Sequence, residues 1–254
     1  MQKRIKAVLK SHGLASPAKE LYRTASKLYR TIIGSDRLLV KRYLGQRETR
    51  KLHIGCGGNV LKNWLNTDYF PETRDVIHLD ATQRYPFSDN TFDYIFSEHM
   101  IEHVPYVSGQ RMLRECWRVL KVGGRIRIST PDLSFLIALY GSDKSALQSE
   151  YIKWAAGMCG DRTPAEDAFV INEFVRAWGH AFIYDEKTLR KSLERAGFRE
   201  IGRLRLNESR DEALRNLENE ERMPQGFLQL ESMTLEGTKT ASSCVEPNNV
   251  PAIH

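Results

Sequence analysis

A glycine-rich turn carries the residues of this chain with the clearest chemical potential: positions 53–59 read His-Ile-Gly-Cys-Gly-Gly-Asn. Backbone without side chains lets a ligand approach closely, and a strand that ends in such a turn presents N–H groups to a nucleotide-like ligand. Val60 stands where a dinucleotide fingerprint has its third glycine, and no Gly-Lys-Ser/Thr of a triphosphate loop follows. The turn therefore predicts a cofactor site of a different kind, with Asp68 as the first acid at the end of the next strand-like segment.

A second group with chemical potential spans residues 97–103, Ser-Glu-His-Met-Ile-Glu-His. His99 and His103 are four positions apart, so on a helix they would share one face, with Glu102 beside them. Such a set could act as a general base with its orienting carboxylate, or as a divalent-metal site. The alternative is packing, which is favoured for His103 because Val104-Pro105 follow it. We assign His99, Glu102 and His103 as catalytic candidates and predict no metal.

Three further segments follow the glycine turn and Asp68 in order. They are Asp80-Ala81, the stretch 85–97 with Pro86-Phe87 and Phe92-Asp93, and Leu-Lys-Val-Gly-Gly-Arg at 120–125. Taken together, the five segments resemble the type 11 family of class I S-adenosylmethionine (SAM)-dependent methyltransferases. The resemblance covers residues 51 to about 131 well and residues 184–198 loosely.

The resemblance implies an α/β fold of Rossmann-like class I methyltransferase type, with SAM as cofactor. Its sheet would be mostly parallel with an antiparallel edge strand, accompanied by a helical N-terminal arm and a helical insertion. The glycine turn would pass beneath the methionine part of SAM, Asp68 would bind the ribose hydroxyls, Asp80 with Ala81 would meet adenine, and Ser97 with Glu98 would border the sulfonium. The cofactor-binding candidates are Gly55, Cys56, Gly57, Gly58, Asn59, Asp68, Asp80, Ala81, Ser97 and Glu98. Helix capping is the alternative role of both aspartates, and packing is the favoured role of the Cys56 thiol.

The elements that must position these residues can be read from the apolar pattern. Strand candidates cover 75–79, 92–96 and 125–130. Leu113, Cys116, Trp117 and Leu120 predict one face of a helix that Gly123-Gly124 ends. Asp185 can cap a second helix, which Gly197 ends. Two more strands are expected at 200–206 and 227–236.

The connection after the glycine turn is short. Only eight residues separate Asn59 from Asp68, whereas a crossover between parallel strands normally needs about a dozen. The first crossover should therefore be abbreviated.

The composition of the chain limits its domain organisation. With 254 residues, 41% of them hydrophobic, the chain can bury one sizeable core. We predict a basic helical arm at 1–47, a methyltransferase domain at 48–237 with a substrate lid at 132–180, and a disordered tail at 238–254. Four cysteines without metal-ligand spacing and the lack of a long apolar run favour a cytoplasmic protein.

The arm concentrates the positive charge. Residues 1–50 hold 13 Lys and Arg against three acids. The arm could pack on the domain through Leu21, Leu28 and Ile32, or contact a membrane surface. Binding of nucleic acid is the least favoured alternative, and the oligomeric state stays open.

Motifs that are missing from the sequence narrow the choice of methyl acceptor. No Asn/Asp-Pro-Pro-Tyr/Phe motif, typical of amide and amine methylation, follows the fourth strand, and no Pro-Cys occurs. We therefore expect O-methylation of a small molecule or saccharide, such as a cell-surface glycan precursor, with the aromatic residues of 132–180 as core or as a stacking surface. The alternatives are a catalytically silent SAM-binding module and an RNA methyltransferase that uses the basic arm.

Overall fold

The computed structural model describes residues 30, 34–159, 164–176 and 178–241. Most of the predicted arm, including Leu21, Leu28 and Ile32, and most of the predicted tail lie outside these residues. The described end of the arm is helix α1 (Ser35–Gln46), as predicted. It packs on the domain core through Leu39, Val40, Tyr43 and Leu44.

A seven-stranded mixed sheet forms the centre of the described structure, in the order β3-β2-β1-β4-β5-β7-β6. The strands are β1 (Lys51–Ile54), β2 (Leu65–Asp68), β3 (Ile77–His78), β4 (Phe92–Glu98), β5 (Leu120–Pro131), β6 (Arg199–Leu204) and β7 (Ser232–Thr238). β1 to β5 pair in parallel, whereas β7 pairs antiparallel with both β5 and β6. The predicted sheet with an antiparallel edge is confirmed.

One face of the sheet is covered by two amphipathic helices. Ile95 pairs with Ile126 in register, and both are buried with Leu52 in the main core. Helices α2 (Tyr106–Val119) and α6 (Glu186–Ala196) pack there. The signals predicted for α6 are confirmed, because Asp185 accepts from the Thr188 N–H and Gly197 ends the helix at φ 107°.

The end of α2 differs from the prediction. The helix ends at Val119, so Leu120 and Gly123-Gly124 belong to β5 instead of the helix end. Gly124 lies close to neighbouring backbone, since a Cβ there would stand 2.9 Å from the Asp93 carbonyl oxygen. These glycines therefore let β5 enter the sheet, where a helix stop was expected.

The connection between β1 and β2 contains no helix. The Asn66 side chain holds it, accepting from the Leu61 N–H and donating to the Leu61 and Trp64 carbonyls. Trp64 covers the second face of the sheet by packing against Phe96. The abbreviated crossover is thus closed by side-chain hydrogen bonds and one large aromatic ring.

Helices α3 (Leu133–Tyr140), α4 (Ala146–Cys159) and α5 (Asp167–Arg176) form the predicted insertion. They share a second core with Phe227 of the short helix α7 (Phe227–Glu231). The strand predicted at 227–236 was therefore wrong over its first half, because β-sheet pairing with β5 starts only at Ser232. Phe135, Tyr151 and Phe174 are buried, whereas Tyr140 and Phe169 are exposed, so most of these rings serve as core.

Ordered structure continues past β7. Lys239 donates to the Leu120 carbonyl and to Asn90 Oδ1. The chain is therefore still hydrogen-bonded to the domain two residues beyond the predicted boundary at 237. Across the described part of the chain, every helix is too short or too polar to pass through a bilayer.

Candidate functional site

The glycine turn lies where β1 ends, at the edge of the sheet formed by the carboxyl ends of the parallel strands. Gly55 and Gly57 have φ of 70° and 50°, a conformation that side chains disfavour. A Cβ on Gly55 would stand 2.3 Å from Cγ of Met100, whereas Gly57 and Gly58 have open space around the corresponding position. Gly55 is therefore required by the fold, and the backbone of Gly57 and Gly58 is open to a ligand. No helix opens after the turn, so a bound methionine carboxylate would have no helix N-terminus to meet there.

Asp68 lies at the end of β2, directly beside the turn. Its Oδ2 accepts from the Gly57 N–H over 2.9 Å and its Oδ1 from the Phe70 N–H over 2.7 Å. An ionised carboxylate has about four acceptor positions, so these two bonds leave capacity for ribose hydroxyls. Asp80 is arranged similarly: its Oδ1 accepts from the backbone N–H and the hydroxyl of Thr82. Neither aspartate caps an α-helix, which removes the alternative raised from the sequence.

Asn59 and Glu98 tie the turn to β4 and to the segment after β6. Asn59 donates to Oε2 of Glu98 and to the Leu217 carbonyl, over 3.2 and 3.0 Å. The Asn219 N–H also donates to Glu98, and Arg222 lies 3.9 Å from it. Burial raises the pKa of Glu98 above its usual value, while Arg222 opposes that rise. The Asn59 amide therefore fixes the shape of the site, a role the sequence did not reveal.

Three other cofactor candidates are buried at the same edge. Ala81 follows Asp80 and lies in the main core. Burial raises the pKa of the Cys56 thiol to about 12, so Cys56 is a packing residue at neutral pH. Ser97 is 1% exposed, and its hydroxyl has no hydrogen-bond partner among the described residues. An unpartnered buried hydroxyl beside an open glycine turn fits a site that a bound molecule completes, and the residues present fit SAM in this respect.

The 97–103 segment does not form the α-helix that the spacing of His99 and His103 suggested. His99 has a φ of 46°, and a short 3-10 turn covers Ile101–His103. Left-handed backbone at a non-glycine residue is strained and persists only where the surroundings enforce it. Here the His99 N–H donates to the Ser129 carbonyl across the end of β5.

His99 lies within a buried polar cluster. Its Nε2 is hydrogen-bonded to the Ser232 hydroxyl over 2.6 Å, and its Nδ1 lies 3.5 Å from Oε1 of Glu102 and 3.9 Å from Oε1 of Glu231. Burial lowers the pKa of His99 well below its usual range and raises that of Glu102 to about 8 and that of Glu231 to about 7. The imidazole is therefore neutral at neutral pH.

Glu102 connects His99 to His103, although the two histidines share no helix. Oε1 of Glu102 lies 3.8 Å from Nε2 of His103, and His180 joins the same group from the end of the insertion. No role was predicted for His180, Glu231 or Ser232. The Trp178-Gly179-His180 stretch was the only sequence feature that could have pointed to His180. Glu231 and Ser232 reach the site through the antiparallel pairing of β7, which the sequence does not show.

A cavity of about 410 Å³ opens next to this cluster. Its lining residues are Arg203, Leu204, Arg205, Leu206, Glu208, Gln229 and Ser232. Ser232 thus faces the cavity and also contacts His99. The cavity lies at the same edge of the sheet as Asp68, because β6 runs parallel to β5 and ends there.

Residues 52–128 match the model of the family described as "Methyltransferase domain", type 11. No curated protein matches the chain. Among solved structures, a SAM-dependent methyltransferase from Thermotoga maritima is 19% identical, with 87% of this chain and 99% of that chain covered and a TM-score of 0.47. A SAM-dependent methyltransferase from Archaeoglobus fulgidus is 17% identical, covering 82% and 93%, with a TM-score of 0.46. A phosphoethanolamine N-methyltransferase from Haemonchus contortus is 16% identical, covering 82% and 52%, with a TM-score of 0.42.

The matched residues include the glycine turn, Asp68, Asp80 and all of β4, which are the parts that carry the site. Residues 52–128 are thus a methyltransferase domain of the class I, type 11 family, with SAM as its cofactor.

Proposed function

We propose that this methyltransferase methylates a hydroxyl group of a small molecule or saccharide. The observation that carries the proposal is the polar cavity that shares Ser232 with His99. A hydroxyl acceptor must be held in line with the methyl group and must lose its proton during transfer. The cavity supplies a place for the acceptor, and His99 supplies an acceptor for the proton.

SAM, when bound, supplies a methyl group on a positively charged sulfur. The side chains of this chain have the remaining tasks. Asp68 and the glycine turn hold the cofactor, and Asn59 fixes the turn against Glu98. No protein group has to form a covalent bond to the acceptor, so positioning and proton removal are sufficient.

His99 is the proposed general base. Because burial lowers its pKa, the imidazole is unprotonated at neutral pH and can take a proton. The proton would reach Nε2 through the Ser232 hydroxyl, which stands between the imidazole and the cavity. The carboxyl groups of Glu102 and Glu231 lie 3.5 and 3.9 Å from Nδ1 and would keep the ring oriented for this transfer.

The cavity lining favours an acceptor rich in hydroxyl groups. Arg205, Glu208 and Gln229 offer charged and polar groups that can bind several hydroxyls at once. Arg203 is held in place by Asp132 and Glu186. We further propose a cytoplasmic setting, which the free buried thiols of Cys56 and Cys116 support.

Incubation of the protein with SAM labelled in the methyl group tests this proposal. The acceptor panel holds free sugars, nucleotide-activated sugars, phenols, amines and bulk tRNA. We expect label in a hydroxyl-bearing acceptor, with the methyl ether located by mass spectrometry, and strong loss of transfer in His99→Ala. His78→Ala is the matched control, because His78 lies on the far strand β3 and its ring donates to the Tyr69 carbonyl. Label confined to amines or to tRNA would overturn the proposal, and so would SAM binding without transfer to any hydroxyl.

A further inference from the structure

Three side chains from different parts of the chain bring metal-ligating atoms together at the edge of the candidate site. They are Glu102, His103 and His180, and one ligand atom of each lies within 4.8 Å of the others. Ligand atoms around a four-coordinate ion at about 2.1 Å lie roughly 3.4 Å apart. The half-exposed His103 side chain would therefore have to shift slightly inward to bring the three groups to that spacing.

Both imidazoles are oriented by backbone carbonyls. Nδ1 of His103 donates to the Gly179 carbonyl over 3.2 Å, and Nδ1 of His180 donates to the Phe174 carbonyl over 2.6 Å. These bonds assign the proton of each ring to Nδ1 and leave the lone pair on Nε2. A histidine that binds a metal usually donates its other ring N–H in this way.

Glu102 supplies an independent observation. Its side chain is fully buried, and its Oε2 accepts from the Thr130 hydroxyl over 3.0 Å. Its Oε1 has no hydrogen bond from any described residue, although it lies 3.5 Å from Nδ1 of His99 and 3.8 Å from Nε2 of His103. An unpartnered buried carboxylate oxygen is costly, and a cation between these groups would remove that cost.

We propose that Glu102, His103 and His180 bind a divalent transition-metal ion. Two imidazoles and one carboxylate favour Zn²⁺, Co²⁺, Ni²⁺ or Fe²⁺ over Mg²⁺ and Ca²⁺, which prefer oxygen ligands. Three protein ligands leave at least one position open to water or to a substrate oxygen. Placement of the acceptor hydroxyl at that position rests on the proposed function, whereas ion binding itself does not.

Calorimetric titration of untagged, chelator-treated protein with CoCl₂, ZnCl₂ and MgCl₂ tests the site. We expect one Co²⁺ or Zn²⁺ ion per chain, with Mg²⁺ bound at least about tenfold more weakly. Glu102→Gln and His180→Ala should each weaken Co²⁺ binding by at least about tenfold, because loss of even a hydrogen-bond partner of a metal ligand typically costs about 10- to 100-fold. His78→Ala removes a histidine outside the cluster and should leave the affinity unchanged.

The absorption spectrum of the Co²⁺ protein identifies the ligands. Weak visible bands without intense near-ultraviolet charge-transfer bands support nitrogen and oxygen ligands, whereas charge-transfer bands would assign the ion to a cysteine and overturn the proposal. Unchanged Co²⁺ affinity in His180→Ala would also overturn it, as would the absence of binding to the parent protein. SAM titration of the same samples reports the cofactor site separately, so failure of the metal site is distinguishable from failure of the proposed function.

Discussion

The backbone N–H of Gly57 donates to Oδ2 of Asp68 over 2.9 Å. This bond joins the turn after β1 to the end of β2, so the two sequence features assigned to the cofactor form one structural unit. Because no helix lies between the two strands, this bond and the Asn59 bonds to Glu98 and Leu217 hold the turn in place. Changes at the turn should therefore separate into effects on folding and effects on cofactor binding.

Gly55 and Gly58 should show that separation. Gly55→Ala combines a positive φ with a 2.3 Å approach to Met100, so we expect a loss of about 2 kcal/mol or more in the free energy of unfolding. Gly58→Ala meets open space, so its stability should change little while SAM binding weakens. Urea unfolding and calorimetry measure the two effects. Equal stability of both variants would show the backbone assignment at Gly55 wrong.

His99→Ala should reduce turnover far more than SAM affinity. Loss of a general base typically costs about 10²- to 10⁴-fold in rate. The His99 ring contacts Ser232, Glu102 and Glu231, to which we assign no role in cofactor binding. Steady-state kinetics with the acceptor that the labelling experiment identifies gives kcat, and calorimetry gives the SAM affinity. Equal losses in both quantities would indicate a positioning role.

The lowered pKa of His99 predicts how the reaction rate depends on pH. Since burial lowers the pKa of His99 well below its usual range, the base is already unprotonated near pH 6.5. We expect kcat/KM to stay level between about pH 6.5 and 7.5 and to fall only in more acidic buffer. An inflection at the ordinary histidine pKa would contradict the buried environment of this ring.

Glu102 should make the stability depend on pH. Its pKa is raised to about 8 by burial, so the folded state holds this proton more tightly than the unfolded state. The contribution is favourable below the unfolded value of about 4.3 and is lost as the pH rises towards 8. In EDTA, Glu102→Gln should therefore gain stability over the parent as the pH rises from about 5 to 8, by a few kcal/mol at most. Urea unfolding across that range measures the difference, and a constant difference would contradict the shift.

Arg127 should be essential to the segment that supports the site. Its guanidinium is fully buried and pairs with Glu218 and Glu236, and it donates to the carbonyls of Arg205 and Glu208. Removing one partner of a buried ion pair costs about 3–5 kcal/mol, so Arg127→Met should be strongly destabilised. Arg205→Ala is the control for stability, since its pair with Glu208 is 3.9 Å long and exposed. A small effect of Arg127→Met in urea unfolding would contradict this assignment.

Local signals predicted much of the fold. The β-branched residues of β4 and β5 and the Asp185 and Gly197 ends of α6 were readable because each depends on neighbours in sequence. The helix predicted from Leu113, Cys116 and Trp117 was confirmed, but its expected end at Gly123-Gly124 was wrong, because strand pairing begins at Leu120. The strand expected at 227–236 was half right, since the Gly226 turn at φ 83° starts a short helix before β7.

The site was predictable only where its residues are close in sequence. The glycine turn, Asp68 and the 97–103 segment were found from spacing, but the strained backbone of His99 was not. Ser232 and Glu231 come from more than a hundred residues away and reach His99 because β7 runs antiparallel beside β5. Asn59 was a candidate only through its place in the glycine turn, and its bonds to Glu98 and Leu217 became visible only in three dimensions.

The most direct test of the central claim is calorimetric titration of the parent protein and Asp68→Ala with SAM. The parent should bind one SAM per chain, and Asp68→Ala should weaken binding by about 1.5–3 kcal/mol, because hydrogen bonds to a charged group are lost. Asp68→Asn, which keeps one acceptor oxygen for the Gly57 N–H, should lose less. Absence of binding by the folded parent protein at about 1 mM SAM, or equal affinity in Asp68→Ala, would contradict the assignment of this turn and acid as the cofactor site.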